Sequence, residues 1–271
     1  MGTSKKHLLL SKHDLQKSNS TPNNLQLTPN DLRLYKKTIK MKLFFGEIFP
    51  NVKLNEEEQQ HIVKVLRMRE GEEIFITDGK GNSAKGRLVF EGKKVSLSPI
   101  EIQENIPNFS TRLHIAIAPT KNIDRTEFFV EKATEMGISE ITFLHTEKTE
   151  RKNINIEKIR KQSIAASKQS LRFHFPKIND TIKFSDFIRD LDSKNSFVAH
   201  CHENLERIDL NQIQPTENIT FLIGPEGDFS EKEILLLHEK GIKAVSLGNQ
   251  RLRTETAGVF VTAWNYHRLV F

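Results

Sequence analysis

Two glycine-containing turns near the C-terminus carry residue types suited to gripping a ligand through the main chain. The first, Gly224-Pro225-Glu226-Gly227-Asp228-Phe229-Ser230, breaks the apolar run Phe221-Leu222-Ile223. The second, Gly248-Asn249-Gln250-Arg251-Leu252-Arg253-Thr254, follows Ala244 to Leu247. Glycine keeps side chains out of the way, so a ligand can approach backbone N–H and C=O groups directly. Ser230 and Glu233 have the spacing of a capping box, which predicts a helix from Glu231. Thr254 is the matching N-cap candidate of the second turn, with Glu255 suiting the helix dipole and Arg251 and Arg253 left in the loop as fixed positive groups. If the strands preceding the two turns are neighbours, both loops face one pocket. Neither turn has the Lys-Ser/Thr of a P-loop, and no Gly-x-Gly-x-x-Gly occurs, so a ligand held by its phosphates is not expected. His200-Cys201-His202-Glu203 offers metal-ligating types, but the two histidines are expected on opposite sides of a strand with no second Cys/His cluster, so no metal is expected.

Positioning such turns requires strands that end at them. From Arg112 onward strand-like and helix-like segments alternate: RLHIAIA, then DRTEFFVEKATEMG burying Phe129, Ala133 and Met136, EITFLH, a basic helix over Ile156 to Leu171, SFVAH, ITFLI, SEKEILLLHEKG, KAVSL and TETAGVFVTAWNYHRL. This alternation implies a mainly parallel sheet with helices on its faces, over residues 107–271. Residues 41–106 read differently. Short strands at Leu43 to Phe45, Glu73 to Ile76, Arg87 to Phe90 and Val95 to Leu97, with DGKG and EGKK as hairpin turns, imply a small, mostly antiparallel β-barrel. Within it EEEQQHIVKVLRM alone looks helical, and Glu104 to Thr111 reads as the linker between the two parts.

The formal net charge is +6. All of it resides in residues 1–40, which are polar, aperiodic and expected to be a disordered basic tail or a misassigned start, with Met41 as the alternative start. Inside the neutral remainder, Lys148 to Lys177 carries nine basic residues against Glu150 and Glu157. Such a stripe can neutralise phosphates, or it can be a solvated helix face. No apolar run approaches a membrane span, and a single Cys201 excludes an internal disulfide, so a cytoplasmic protein is expected.

IGPEGDFSEKEI followed by LGNQRLRTETAG resembles the paired cofactor loops of the ribosomal RNA small subunit methyltransferase E (RsmE) family of SPOUT methyltransferases. The resemblance runs from Met41 to the C-terminus and includes HIVKVLRMREGEEIFITDGKG, EFFVEKATEMGISEITFLHTEKTER and AASKQSLRFHFPKI. It implies an α/β protein with an N-terminal PUA-like RNA-binding β-barrel and a SPOUT domain carrying a C-terminal trefoil knot. It also implies a homodimer and S-adenosylmethionine-dependent methylation of N3 of a specific uridine in small-subunit (16S) ribosomal RNA, free or in the assembled small subunit. Carried over residue by residue, the cofactor pocket would draw on Leu222, Ile223, Gly224, Pro225 and Gly227 from the first turn, and on Leu247, Gly248, Leu252, Thr254 and Ala257 from the second. Arg253 and Arg172 are the catalytic candidates. Arg151, Lys152, Lys158, Lys161, Lys168 and Arg172 are the RNA-binding candidates. Two departures stand out: Asp228 occupies a position usually held by glycine, and Gln250-Arg251 replaces the usual Arg-Ile. The alternatives are an RNA-binding protein without methyl transfer, and a SPOUT methyltransferase acting on another base.

Overall fold

Runs of β-branched and aromatic residues build two sheets. The computed structural model describes residues 41–92, 94–202, 206–214 and 216–270; the tail expected over residues 1–40 lies outside them, as does Glu203. The first sheet has five strands in the order β2-β1-β3-β4-β5: β1 (Leu43–Glu47), β2 (Lys53–Leu54), β3 (Glu73–Thr77), β4 (Ser83–Glu91) and β5 (Lys94–Gln103). Its pairings are antiparallel except β1 with β3, which run parallel because a helical segment carries the chain back between them. That segment is shorter than expected. A helix α1 (Glu56–Gln60) gives way to a π-turn at His61–Val65, and Arg67 at φ 49° stops it. The β-branched Ile62, Val63 and Val65 crowd a regular helix there. Phe44, Leu54, Ile62, Ile74, Ile76 and Leu88 form this sheet's own core.

The second sheet is wholly parallel, in the order β10-β12-β9-β11-β6-β7-β8. Its strands are β6 (Arg112–Ile117), β7 (Glu140–His145), β8 (Lys177–Lys183), β9 (Ser196–Ala199), β10 (Ile208–Asp209), β11 (Asn218–Ile223) and β12 (Lys243–Ser246). The helices are α2 (Ile123–Glu135), α3 (Ile156–Gln169), α4 (Phe184–Arg189), α5 (Glu231–Glu239) and α6 (Thr254–Val270). Strands covered on both faces read as continuous apolar runs, as β6 and β11 do. Ile115 and Phe221 pack with Phe129 of α2, Ile159 of α3 and Val261 of α6 on one face, whereas Ala116 and Leu222 pack with α4 and α5 on the other. Met136, expected inside α2, is its half-buried C-cap. β8, α4 and β10 fall between the segments expected from the sequence: α4 and β10 are short, and β8, KINDTIK, is mostly polar.

The first sheet docks onto the connection between α3 and β8. Gly81 N–H donates to Phe173 O at 2.9 Å, Phe175 N–H donates to Gly79 O at 2.8 Å, and the Phe45 and Phe175 rings meet at 5.3 Å. The segment expected as a linker is tied to this junction, since His174 Nε2 lies 2.6 Å from Ile106 O.

Candidate active site

β11 delivers the first glycine turn and β12 the second, each at a carboxyl end of the parallel sheet, where such sheets bind ligands. These strands are not neighbours: β9 lies between them. The two turns nevertheless converge, because α6 folds back across the sheet and the end of β9 fills the gap. Together they enclose a cleft of about 280 Å³, near the lower end of ordinary ligand pockets at roughly 300 Å³.

The first turn is held at nearly every residue. Ser230 caps α5 as expected, with Glu233 closing the capping box and also accepting from Glu147 N–H at 2.8 Å. Gly224 O accepts from the Thr254 hydroxyl at 3.0 Å, Glu226 Oε1 from Lys121 N–H at 2.9 Å, and Gly227 O from Lys148 Nζ at 2.9 Å. Asp228 Oδ2 accepts from Cys201 N–H at 2.7 Å. Thr254 is therefore not the N-cap of α6. Arg253 holds that place, its carbonyl accepting from Ala257 N–H at 2.8 Å, which frees the Thr254 hydroxyl to stitch the two turns together. Gly248 sits at φ 114°, a conformation closed to ordinary side chains.

Of the cofactor residues expected from the sequence, Ile223, Gly224, Pro225, Leu247, Gly248, Leu252, Thr254 and Ala257 line the cleft. Leu222 does not: it is fully buried in the core under α5, because successive strand residues face opposite sides. Gly227 turns toward the Lys148 side chain instead. The structure adds Ala199, His200 and Cys201 from the end of β9, and Arg207 beyond it. The strand-end rule marks the residues just after SFVAH as candidates for some site, but only the strand order brings them to this cleft. His200 and His202 do not point to opposite sides, since β9 ends at Ala199 and the two rings meet edge-on at 5.6 Å. Among the described residues no group of three or more His, Cys, Asp or Glu side chains is placed to hold a metal ion. Burial lowers the His200 pKa below its ordinary value, against the opposing pull of the nearby Asp228 carboxylate.

The arginines part company. Arg253 is exposed at the cleft, beside Arg251. Arg172 is absent from the cleft lining: it donates to Glu135 O at 3.1 Å and stacks over the Phe109 ring at 4.6 Å, a structural anchor between α2 and the linker. Burial lowers its pKa from the ordinary guanidinium value.

Most of the basic stripe is engaged within the protein. Arg151 donates to Thr120 O and Lys121 O. Lys158 pairs with Glu127 at 2.5 Å, Lys161 with Glu57 at 3.3 Å, and Lys168 with the buried Glu58. Lys152 is exposed, with an ion pair to no described residue. The partners of Lys158, Lys161 and Lys168 lie 31, 104 and 110 residues away in sequence, so a count within the stripe does not show the pairing.

Residues 107–265 match the RNA methyltransferase domain family and residues 54–97 match the RNA methyltransferase PUA domain family. The chain belongs to the ribosomal RNA small subunit methyltransferase E family. The relative of that name in Aquifex aeolicus is 30% identical over 216 residues, covering 78% of this chain and 91% of the relative. The one in Rickettsia conorii is 29% identical over 216 residues, covering 78% and 88%. The crystal structure of a probable rRNA-methyltransferase from Porphyromonas gingivalis superposes with a TM-score of 0.78 at 33% identity, covering 84% of this chain and 98% of that one. A family member from Neisseria gonorrhoeae, solved bound to S-adenosyl methionine, shares the fold with a TM-score of 0.73 at 24% identity over 84% and 98% of the chains. Family membership thus accounts for the PUA-like first sheet and the parallel second one.

Proposed function

We propose that this protein transfers a methyl group from S-adenosylmethionine to N3 of one uridine in small-subunit (16S) ribosomal RNA. The observation that carries the reading is the convergence of both glycine turns on one cleft in a chain of this family. The cleft's chemistry fits the cofactor. Ile223, Val245, Leu247, Leu252 and Ala257 supply apolar walls for a purine, the turns supply backbone amides and carbonyls, and no phosphate-cradling Lys-Ser/Thr is present. When bound, S-adenosylmethionine supplies a methyl group on a sulfonium, whose transfer forms the N3–C bond, breaks the S–C bond and leaves the N3 proton to solvent.

The residues of this chain then have two tasks. The cross-tied turns hold the cofactor in a fixed orientation, so that little ordering remains to be done when RNA arrives. Arg253, exposed at the rim, is placed to steady the negative charge that deprotonation spreads over the uracil oxygens. RNA affinity is assigned to Arg207, Arg251 and the PUA-like sheet rather than to the ion-paired α3 lysines. Residues 41–106 and 107–271 are taken as the two domains, with the C-terminal segment threaded as the family's trefoil knot. A homodimer would cover the exposed Phe128 of α2 and Phe260 of α6. No helix of the described residues is long and apolar enough to cross a membrane, and the substrate places the enzyme in the cytoplasm. Titration calorimetry of the full chain with S-adenosylmethionine tests the reading: one saturable site per chain is expected, and no saturable binding with or without RNA would overturn it.

A further inference from the structure

We propose that Asp228 is a positioning residue, whose carboxylate seats the turn after β9 as the third wall of the cleft. The inference rests on the cleft being the S-adenosylmethionine site. Asp228 has φ 61° and is one of four non-glycine residues with positive φ among those described, the others being Arg67, Asn105 and Leu171; of these it is the one that lines the cleft. That region costs a side chain more than it costs glycine, least for Asp and Asn, and a residue held there is kept by its surroundings.

Compensation here comes from both carboxylate oxygens. Oδ1 accepts from the neighbouring Phe229 N–H at 2.7 Å, and Oδ2 accepts from Cys201 N–H at 2.7 Å. The second bond crosses from the first glycine turn to the end of β9. Around it a small network ties His200, His202 and Arg207 in place. His202 N–H donates to His200 Nδ1 at 3.1 Å, His202 Nε2 lies 3.1 Å from Phe229 O, and Arg207 donates to His200 O at 3.2 Å. His202 Nε2 also stands 4.0 Å from Asp228 Oδ2. His200, Cys201 and Arg207 all face the cleft, so one carboxylate sets where its third wall stands.

Glycine would adopt this backbone freely but offers no acceptor for Cys201. Replacing glycine by aspartate thus exchanges a relaxed turn for a tether, and the two roles separate on substitution. Asp228→Gly relieves the strain while cutting the tether. In the full chain it is expected to bind S-adenosylmethionine about tenfold more weakly by calorimetry, the weight of one charge-assisted hydrogen bond, with thermal stability essentially unchanged. Amide hydrogen exchange at Cys201 should be slow in the unsubstituted protein and fast in this variant. Asp228→Asn, which keeps a carbonyl acceptor and tolerates the left-handed region, should lose less affinity than the glycine variant. Affinity within twofold for Asp228→Gly, or equal Cys201 protection, would overturn the tether, as would an asparagine loss as large as that of glycine. If the unsubstituted protein itself failed to bind, the cofactor reading would fail instead.

Discussion

Replacing Gly258 by alanine sets two known effects against each other at the helix that carries the second turn. Gly258 lies in α6 facing α2, and a Cβ there would stand 2.5 and 2.6 Å from two ring atoms of Phe129 and 3.3 Å from Ile117 Cδ1. Alanine in a helix interior is favoured over glycine by about 1 kcal/mol. Overpacking a filled core costs about 1–3 kcal/mol, and the fully buried Phe129 ring has no space to retreat, which places the cost toward the upper end. The net effect expected is a destabilisation of about 1–2 kcal/mol. For a chain of this size that lowers Tm by about 2–8 °C, measured by scanning calorimetry. Relief of the clash moves α6 away from α2, and Arg253 and Thr254 move with it, so S-adenosylmethionine affinity should fall as well. A variant as stable as the unsubstituted protein would refute the close α2–α6 packing on which the second turn depends.

Lys168→Met leaves the buried Glu58 without its cation and should destabilise the protein by about 2–4 kcal/mol in denaturant titration, with much of the loss recovered in the Lys168→Met/Glu58→Gln double variant. Because Lys158, Lys161 and Lys168 are already paired, replacing all three by glutamine should leave the salt dependence of RNA binding nearly unchanged, whereas Arg251→Ala should lower its slope by roughly 0.7; a fall of about 2 for the triple variant would restore the stripe as the RNA grip. Burial holds the His114 pKa below its ordinary value of 6.5, against the opposing influence of Glu140. The unfolded chain therefore takes up a proton that the folded one refuses, so stability should fall as pH drops below about 6.5 and level off once the folded pKa is passed. His114→Gln should remove that part of the pH dependence.

The parts of the site legible in the sequence were those encoded locally. Ser230 with Glu233 marks a helix start within four residues, and a glycine turn after an apolar run marks a strand end, so both loops and the start of α5 could be placed without tertiary information. Strand order is different in kind. Nothing near Ser196 to Ala199 says that β9 inserts between β11 and β12, so His200, Cys201 and Arg207 were not assigned to the cleft. Charge pairing is also non-local: Glu57 and Glu58 neutralise lysines of α3 across the junction between the two sheets. Arg172 was misplaced for a related reason, since its partners Phe109 and Glu135 come from two other segments.

Methylation of small ribosomal subunits from cells lacking this protein, followed by mass mapping of the modified nucleoside, tests the proposed reaction most directly. With purified protein and S-adenosylmethionine, the expected product is a single N3-methyluridine in the small-subunit RNA, lost or slowed about a hundredfold in Arg253→Ala while RNA affinity is largely kept. A methyl group recovered on another base, or none recovered from a preparation that binds the cofactor, would contradict it.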